Sequence, residues 1–190
     1  ENAFENNILG PTSKVTLGLF REGKSAKEYS DEALSNGAAM RIAPIGALFE
    51  PFRKEALCRY VAAVSQVTHT SDVTVAGAAM IAMAVASAIQ YGDREQMITD
   101  ALSVEPYAMS LGASTVSPSL GARTRLGIKL ARTYREDPRA FLENLYDLVG
   151  AGVNTSESVP AALAIAYYSF DVKKCALMCA NLGGDTDTIG

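Results

Sequence analysis

Three features of this 190-residue chain point to an all-α protein. Helix start and stop signals follow one another almost without interruption, alternating β-branched segments are scarce, and aromatic residues carry little of the apolar content. Hydrophobic residues make up 48% of the chain but aromatic ones only 7%, with no tryptophan, so small and flexible side chains must build the core, as suits closely packed helices. At this length the chain is one domain or part of a larger one, and buries roughly 70% of its unfolded surface.

Pro11-Thr12-Ser13 opens a first helix that Gly23 ends. Ser25-Ala26-Lys27-Glu28 has the form of a capping box and starts a short helix toward Leu34. Ser35-Asn36-Gly37 interrupts as a tight turn. From Ala38 to Phe49 the chain is apolar apart from Arg41, with Pro44 as an early-turn or kink residue. Residues 53–67 form an amphipathic helix, and Asp72 can cap the long apolar helix after it. That stretch, residues 73–89, is broken by Thr74, Gly77 and Ser87; it reads as a central core helix, and no run of membrane-spanning length is expected. Asp93 caps a helix to about Leu102. Residues 105–120 read as a loop, from their Pro, Gly and Ser content. Helices resume over residues 121–134, 138–148, 157–170 and 171–181, about nine or ten in all.

The net charge is −4 and the Lys and Arg residues are unclustered, which excludes a nucleic-acid scaffold. Neither nucleic acid nor a membrane is expected as a partner. Cys58, Cys175 and Cys179 have no companions to complete a zinc site; they read as buried thiols of a reducing, cytoplasmic compartment.

The chemically densest segment is Gly183-Gly184-Asp185-Thr186-Asp187-Thr188-Ile189-Gly190. Asp185 and Asp187, one residue apart, project alike if the segment is extended, and with the Thr188 hydroxyl they form a hard oxygen set suited to Mg²⁺ or Mn²⁺. The same residues also suit a capped helix start. A second segment is Ser35 to Pro44. Its Asn36-Gly37 turn is a cradle for phosphate oxygens or a structural turn, and Arg41 should find an anionic or carbonyl partner. The single histidine, His69, lies between two helices, where an imidazolium would favour the preceding helix C-terminus; its polar neighbours also fit a pocket.

Together Asn36-Gly37-Ala38-Ala39-Met40-Arg41, Thr68-His69, Glu157 to Ala162 and Leu182 to Ile189 resemble the ADP-ribosylglycohydrolase family, in the family's order. That family includes the dinitrogenase reductase-activating glycohydrolases and the ADP-ribosyl-arginine and ADP-ribosyl-serine hydrolases. The resemblance implies a compact orthogonal multi-helix bundle with two Mg²⁺ or Mn²⁺ ions in a cleft. It implies Asp185, Asp187 and Thr188 as metal ligands, and Asn36, Gly37, Ala38, Ala39, Met40, Arg41 and His69 as substrate-binding residues. The implied activity is hydrolysis of the glycosidic bond of ADP-ribosylated proteins or small molecules, with release of ADP-ribose.

The family's earlier acidic-acidic-hydroxyl motif has no counterpart here, since Asp31-Glu32 is followed by Ala33. The expectation is therefore a single domain over residues 1–190, cut at both ends and inactive alone, with the catalytic acid outside the chain. The alternative is a non-catalytic relative that binds ADP-ribose-like nucleotides or serves structurally, as the lens-crystallin members do. An unrelated metal phosphohydrolase is disfavoured by the Asn-Gly-Ala-Ala-Met-Arg segment. Specificity is assigned to the 105–120 loop, through Tyr107, Ser114, Thr115 and Ser117.

Overall fold

The computed structural model describes residues 9–190; the first eight residues of the expected domain lie outside the described residues. Helices α1 (Pro11–Arg21) and α2 (Lys27–Asp31) are followed by a 3₁₀ turn (Ala39–Arg41) and the single turn α3 (Ala43–Gly46). Then come α4 (Lys54–Ser65), α5 (Asp72–Tyr91), α6 (Arg94–Met109), α7 (Leu120–Thr133), α8 (Pro138–Leu148), α9 (Thr155–Ser169), α10 (Val172–Leu182) and α11 (Thr186–Ile189). The described residues contain no strand. Two isolated bridges, Ser35 with Asn154 and Ser71 with Ala113, tie loops together. The all-α expectation is met.

Helix α5 is the hub. It is 20 residues long and apolar on every side, with most positions from Asp72 to Ser87 buried, as expected for a helix enclosed by others. Helix α6 packs along its length, while α3, α4 and α9 cover its other sides. One expectation is corrected here. The α5 sequence is long and apolar enough to cross a membrane, with a mean hydropathy of 1.8, but 78% of that window is buried within the bundle. It is a core helix.

Two polar groups fix how α5 meets its neighbours. Asp100 of α6 is buried, and its Oδ2 accepts bonds from Ser87 Oγ of α5 at 2.9 Å and from Gln96 Nε2 at 3.1 Å. Lys54 of α4 stands 3.5 Å from Oδ1, so the buried carboxylate is paired as well as hydrogen-bonded. Asp72 was expected to cap α5, but Ser71 holds that position, accepting from Thr74 N. The Asp72 carboxylate instead takes the Thr115 N–H at 3.2 Å and the Thr115 hydroxyl at 2.6 Å, anchoring the loop before α7.

Other boundaries moved for local reasons. In α2 the capping box is not formed: Ser25 Oγ accepts from Lys27 N, Ala26 holds the cap position, and the helix stops at Asp31. Helix α6 continues through Pro106 to Met109. Proline removes one helical hydrogen bond near a helix end, and burial of Val104 and Ala108 against the core outweighs that loss. Helix α9 starts at Thr155, not Glu157, because Thr155 N bonds Leu34 O at 2.8 Å. The Glu157 side chain then turns back to accept from Gly152 N at 2.9 Å.

Helix α8 is held by Phe141 and Leu145, both fully buried and one turn apart. The Phe141 ring stacks on Tyr168 of α9, with centroids 4.4 Å apart and planes 4° from parallel. Deleting a buried ring removes its transfer free energy and leaves a cavity. Phe141→Ala is expected to lower stability by about 3–5 kcal/mol, read as a shifted urea midpoint at unchanged slope.

Candidate functional site

The chain between α10 and α11 follows a path that its two glycines permit. Gly183 and Gly184 have φ of +91° and +71°, and a Cβ on Gly184 would lie 2.1 Å from the Ala151 carbonyl oxygen. No side chain fits there. The close approach lets Asp185 N donate to Ala151 O at 2.8 Å. Asp185 then holds the N-cap position of α11, and its backbone carbonyl accepts from Thr188 N and Ile189 N at 3.2 and 3.1 Å.

The Asp185 side chain, however, makes no cap bond. Its Oδ2 accepts the side-chain N–H of Asn36 at 2.6 Å. The geometry therefore separates the two readings of this segment: the backbone caps a helix and the carboxylate faces another motif. The segment is also not extended, so the alternation expected for Asp185 and Asp187 does not apply. Asp187 lies within the helical turn of α11 and is exposed, and helical positions two apart do not share a face.

Asn36 is brought to Asp185 by pairing of residues 34–36 with residues 153–155. Asn36 N donates to Val153 O at 2.9 Å, and the Thr155 hydroxyl donates to the carbonyls of Leu34 and Ser35, both at 3.0 Å. The Asn36 carbonyl accepts from Met40 N at 3.0 Å, closing the turn. Gly37 lies flat against the His69 ring, where a Cβ would fall 2.8 Å from Cε1 and 3.0 Å from Nε2.

His69 is fully buried. Its Nδ1 is 2.7 Å from Thr68 Oγ1 and its Nε2 is 3.0 Å from Ser35 Oγ. Arg41 Nη2 donates to Thr68 Oγ1 at 2.7 Å. Since arginine only donates, the Thr68 hydroxyl accepts from Arg41 while also meeting Nδ1, and both ring nitrogens of His69 have a hydroxyl partner. Ser35 Oγ in turn lies 3.0 Å from Thr12 Oγ1 of α1. Burial, followed by the Arg41 charge, lowers the His69 pKa to about 4. The ring is neutral near pH 7, so it carries no charge to the preceding helix C-terminus. Arg41 is exposed and meets a hydroxyl, not the anionic or carbonyl partner expected of it.

A cavity of about 280 Å³ opens beside these motifs, between α5, α9, α10 and α11. Asn36, Ala39, Met40, Ser158, Thr188 and Cys175 line part of it, with Ile81 and Val159 among its apolar walls. Of the sequence-derived candidates, Asn36, Ala39, Met40 and Thr188 thus face one space, Asp185 adjoins it through Asn36, and Ala38 is sealed in the core. Gly37 and Arg41 reach His69 and Thr68 instead. From the 105–120 segment, Thr115 is engaged with Asp72, and Tyr107 accepts from Arg59 at 2.9 Å; none of its four candidates lines the cavity.

Asp185, Asp187 and Thr188 are hard oxygen donors that fit a divalent cation in kind. Among the described residues, no three His, Cys, Asp or Glu side chains stand close enough to hold a metal. Ser35 joins the site through the His69 ring, and the hydroxyls flanking Asn36 and His69 in the sequence are the sign of this polar chain.

The family model for ADP-ribosylglycohydrolase matches residues 2–190. The chain is 43% identical to the uncharacterized protein YegU of Escherichia coli (strain K12), over 100% of this chain and 57% of that protein. It is 26% identical to an uncharacterized protein of Archaeoglobus fulgidus, over 95% of this chain and 54% of that protein. The chain therefore spans about half the length of the curated relatives it matches.

Because His69 is the single histidine, its imidazole resonance can be followed by NMR without assignment ambiguity. A midpoint near pH 4 is expected, and one near 6.5 would show a solvated ring. The folded-state value lies below the unfolded one, so the unfolded chain takes up the proton first. The contribution of neutral His69 is complete above about pH 6.5 and is lost as the pH falls toward 4, amounting to about 3 kcal/mol.

Proposed function

The chain belongs to the ADP-ribosylglycohydrolase family, and on that premise we propose that the protein hydrolyses the glycosidic bond of ADP-ribosylated proteins or small molecules and releases ADP-ribose. Membership supports a glycohydrolase kind of activity. The observation that carries the finer reading is the bond between Asn36 and Asp185, which joins the turn assigned to ADP-ribose to the segment assigned to metal.

In this reading Asp185, Asp187 and Thr188 would hold part of a centre of two Mg²⁺ or Mn²⁺ ions. The chemistry a bound ion would supply there is orientation of the ribose hydroxyls and activation of water. The chain's own residues bind and orient. The Asn36 N–H is committed to Val153 and Ala38 is sealed in the core, so the half-buried Gly37 amide is the turn's donor for a diphosphate oxygen. Met40 and the apolar cavity walls give a nucleoside a dry surface. Neutral His69 fixes the turn from behind without adding charge. Free Cys58, Cys175 and Cys179 support a reducing, cytoplasmic setting.

The test is release of ADP-ribose by the full-length protein from ADP-ribosylated arginine, serine or a small-molecule ester, with Mg²⁺ or Mn²⁺ present. Turnover of one of these is expected. Nucleotide binding measured by calorimetry, without turnover of any, would instead identify a non-catalytic binder. Asp187→Ala is expected to remove divalent-metal binding at one site while the helical circular dichroism spectrum stays unchanged. Loss of the fold would make the segment a structural cap.

A further inference from the structure

We infer that Asn36 is a positioning residue for Asp185: its side-chain amide holds one carboxylate oxygen so that the other is presented to a hard cation. This rests on the reading of Asp185 as a metal ligand.

Both partners are fixed before any ligand arrives. Asn36 N bonds Val153 O at 2.9 Å, and Asp185 N bonds Ala151 O at 2.8 Å. A single three-residue segment, 151–153, therefore sets the separation of the two backbones, and the side chains close the gap at 2.6 Å. Asn36 is 5% exposed, which leaves little room for water to replace its N–H. The Asp185 carboxylate makes no helix-cap bond, although it stands where an aspartate usually makes one. The orientation of its side chain is thus set by Asn36.

The chemistry of the donor matters as well. An amide is neutral, so it orients the carboxylate without cancelling the charge that a cation requires; lysine or arginine in the same place would form an ion pair. Bonds of this outer kind around metal ligands typically change metal affinity 10–100-fold when removed.

The experiment is a double-mutant cycle on the full-length protein, with Mn²⁺ affinity measured by calorimetry and the bound ion followed by its EPR signal. Asn36→Ala is expected to weaken Mn²⁺ binding about 10–100-fold, and to add nothing further when Asp185 is already Asn. Equal losses in both backgrounds would overturn the proposal, because Asn36 would then act elsewhere. Wild-type affinity in N36A, with a clear loss in D185N, would overturn the positioning role alone. Wild-type affinity in D185N would remove the ligand reading beneath it, and the proposal with it. If N36A does not fold, Asn36→Ser takes its place in the same cycle, its hydroxyl being too short to reach Asp185.

Discussion

The backbone carbonyls of Ala151 and Val153 govern the candidate site. One receives Asp185 N and the other Asn36 N, so two segments far apart in the chain are measured against the one short loop that precedes α9. Glycine at 184 is what lets Asp185 come that close, since a Cβ would strike the Ala151 carbonyl. With the backbones fixed, the charge-assisted bond between the side chains forms at little further entropic cost. Lost in a buried setting, it would leave an amide without its acceptor, an expense of about 1–3 kcal/mol.

A second polar line supports the first from behind. Arg41, Thr68, His69, Ser35 and Thr12 form a chain of hydrogen bonds from the surface through the buried imidazole to α1. Such a chain is stable because its only titratable internal member is kept neutral by burial. Its effect is local: Ser35 precedes Asn36, and Gly37 rests on the ring. The turn is therefore held on one side by the 151–155 backbone and on the other by His69, while the buried helix α5 carries the whole assembly.

Much of this was legible in the sequence, and the reasons are specific. Asp93 stands as the N-cap of α6, as its position before the helix implied, because the cap bond spans three residues and its signal is local. Helix α8 could be bounded by Pro138 and Leu148 from proline and periodicity alone. Where tertiary contacts decide, local signals failed. Pro106 does not stop α6, since buried neighbours outweigh one missing bond, and Ser71 rather than Asp72 caps α5, since Thr115 claims the carboxylate. At the site, both motifs were readable but their meeting was not: the Asn36–Asp185 bond spans 149 residues, and nothing in either segment announces the other. The neutral state of His69 was equally hidden, for it depends on burial that only the packed turn creates.

In the proposed reading Asp185, steadied by Asn36, forms part of a divalent-metal site joined to a nucleotide-facing turn. The most direct measurement is anomalous diffraction from crystals of the full-length protein grown with Mn²⁺. A Mn²⁺ peak is expected within coordination distance of the Asp185 carboxylate, with the Asn36 amide still bonded to the oxygen that does not bind the ion. A bound Mn²⁺ elsewhere, with Asp185 turned into its own helix as a cap, would contradict it.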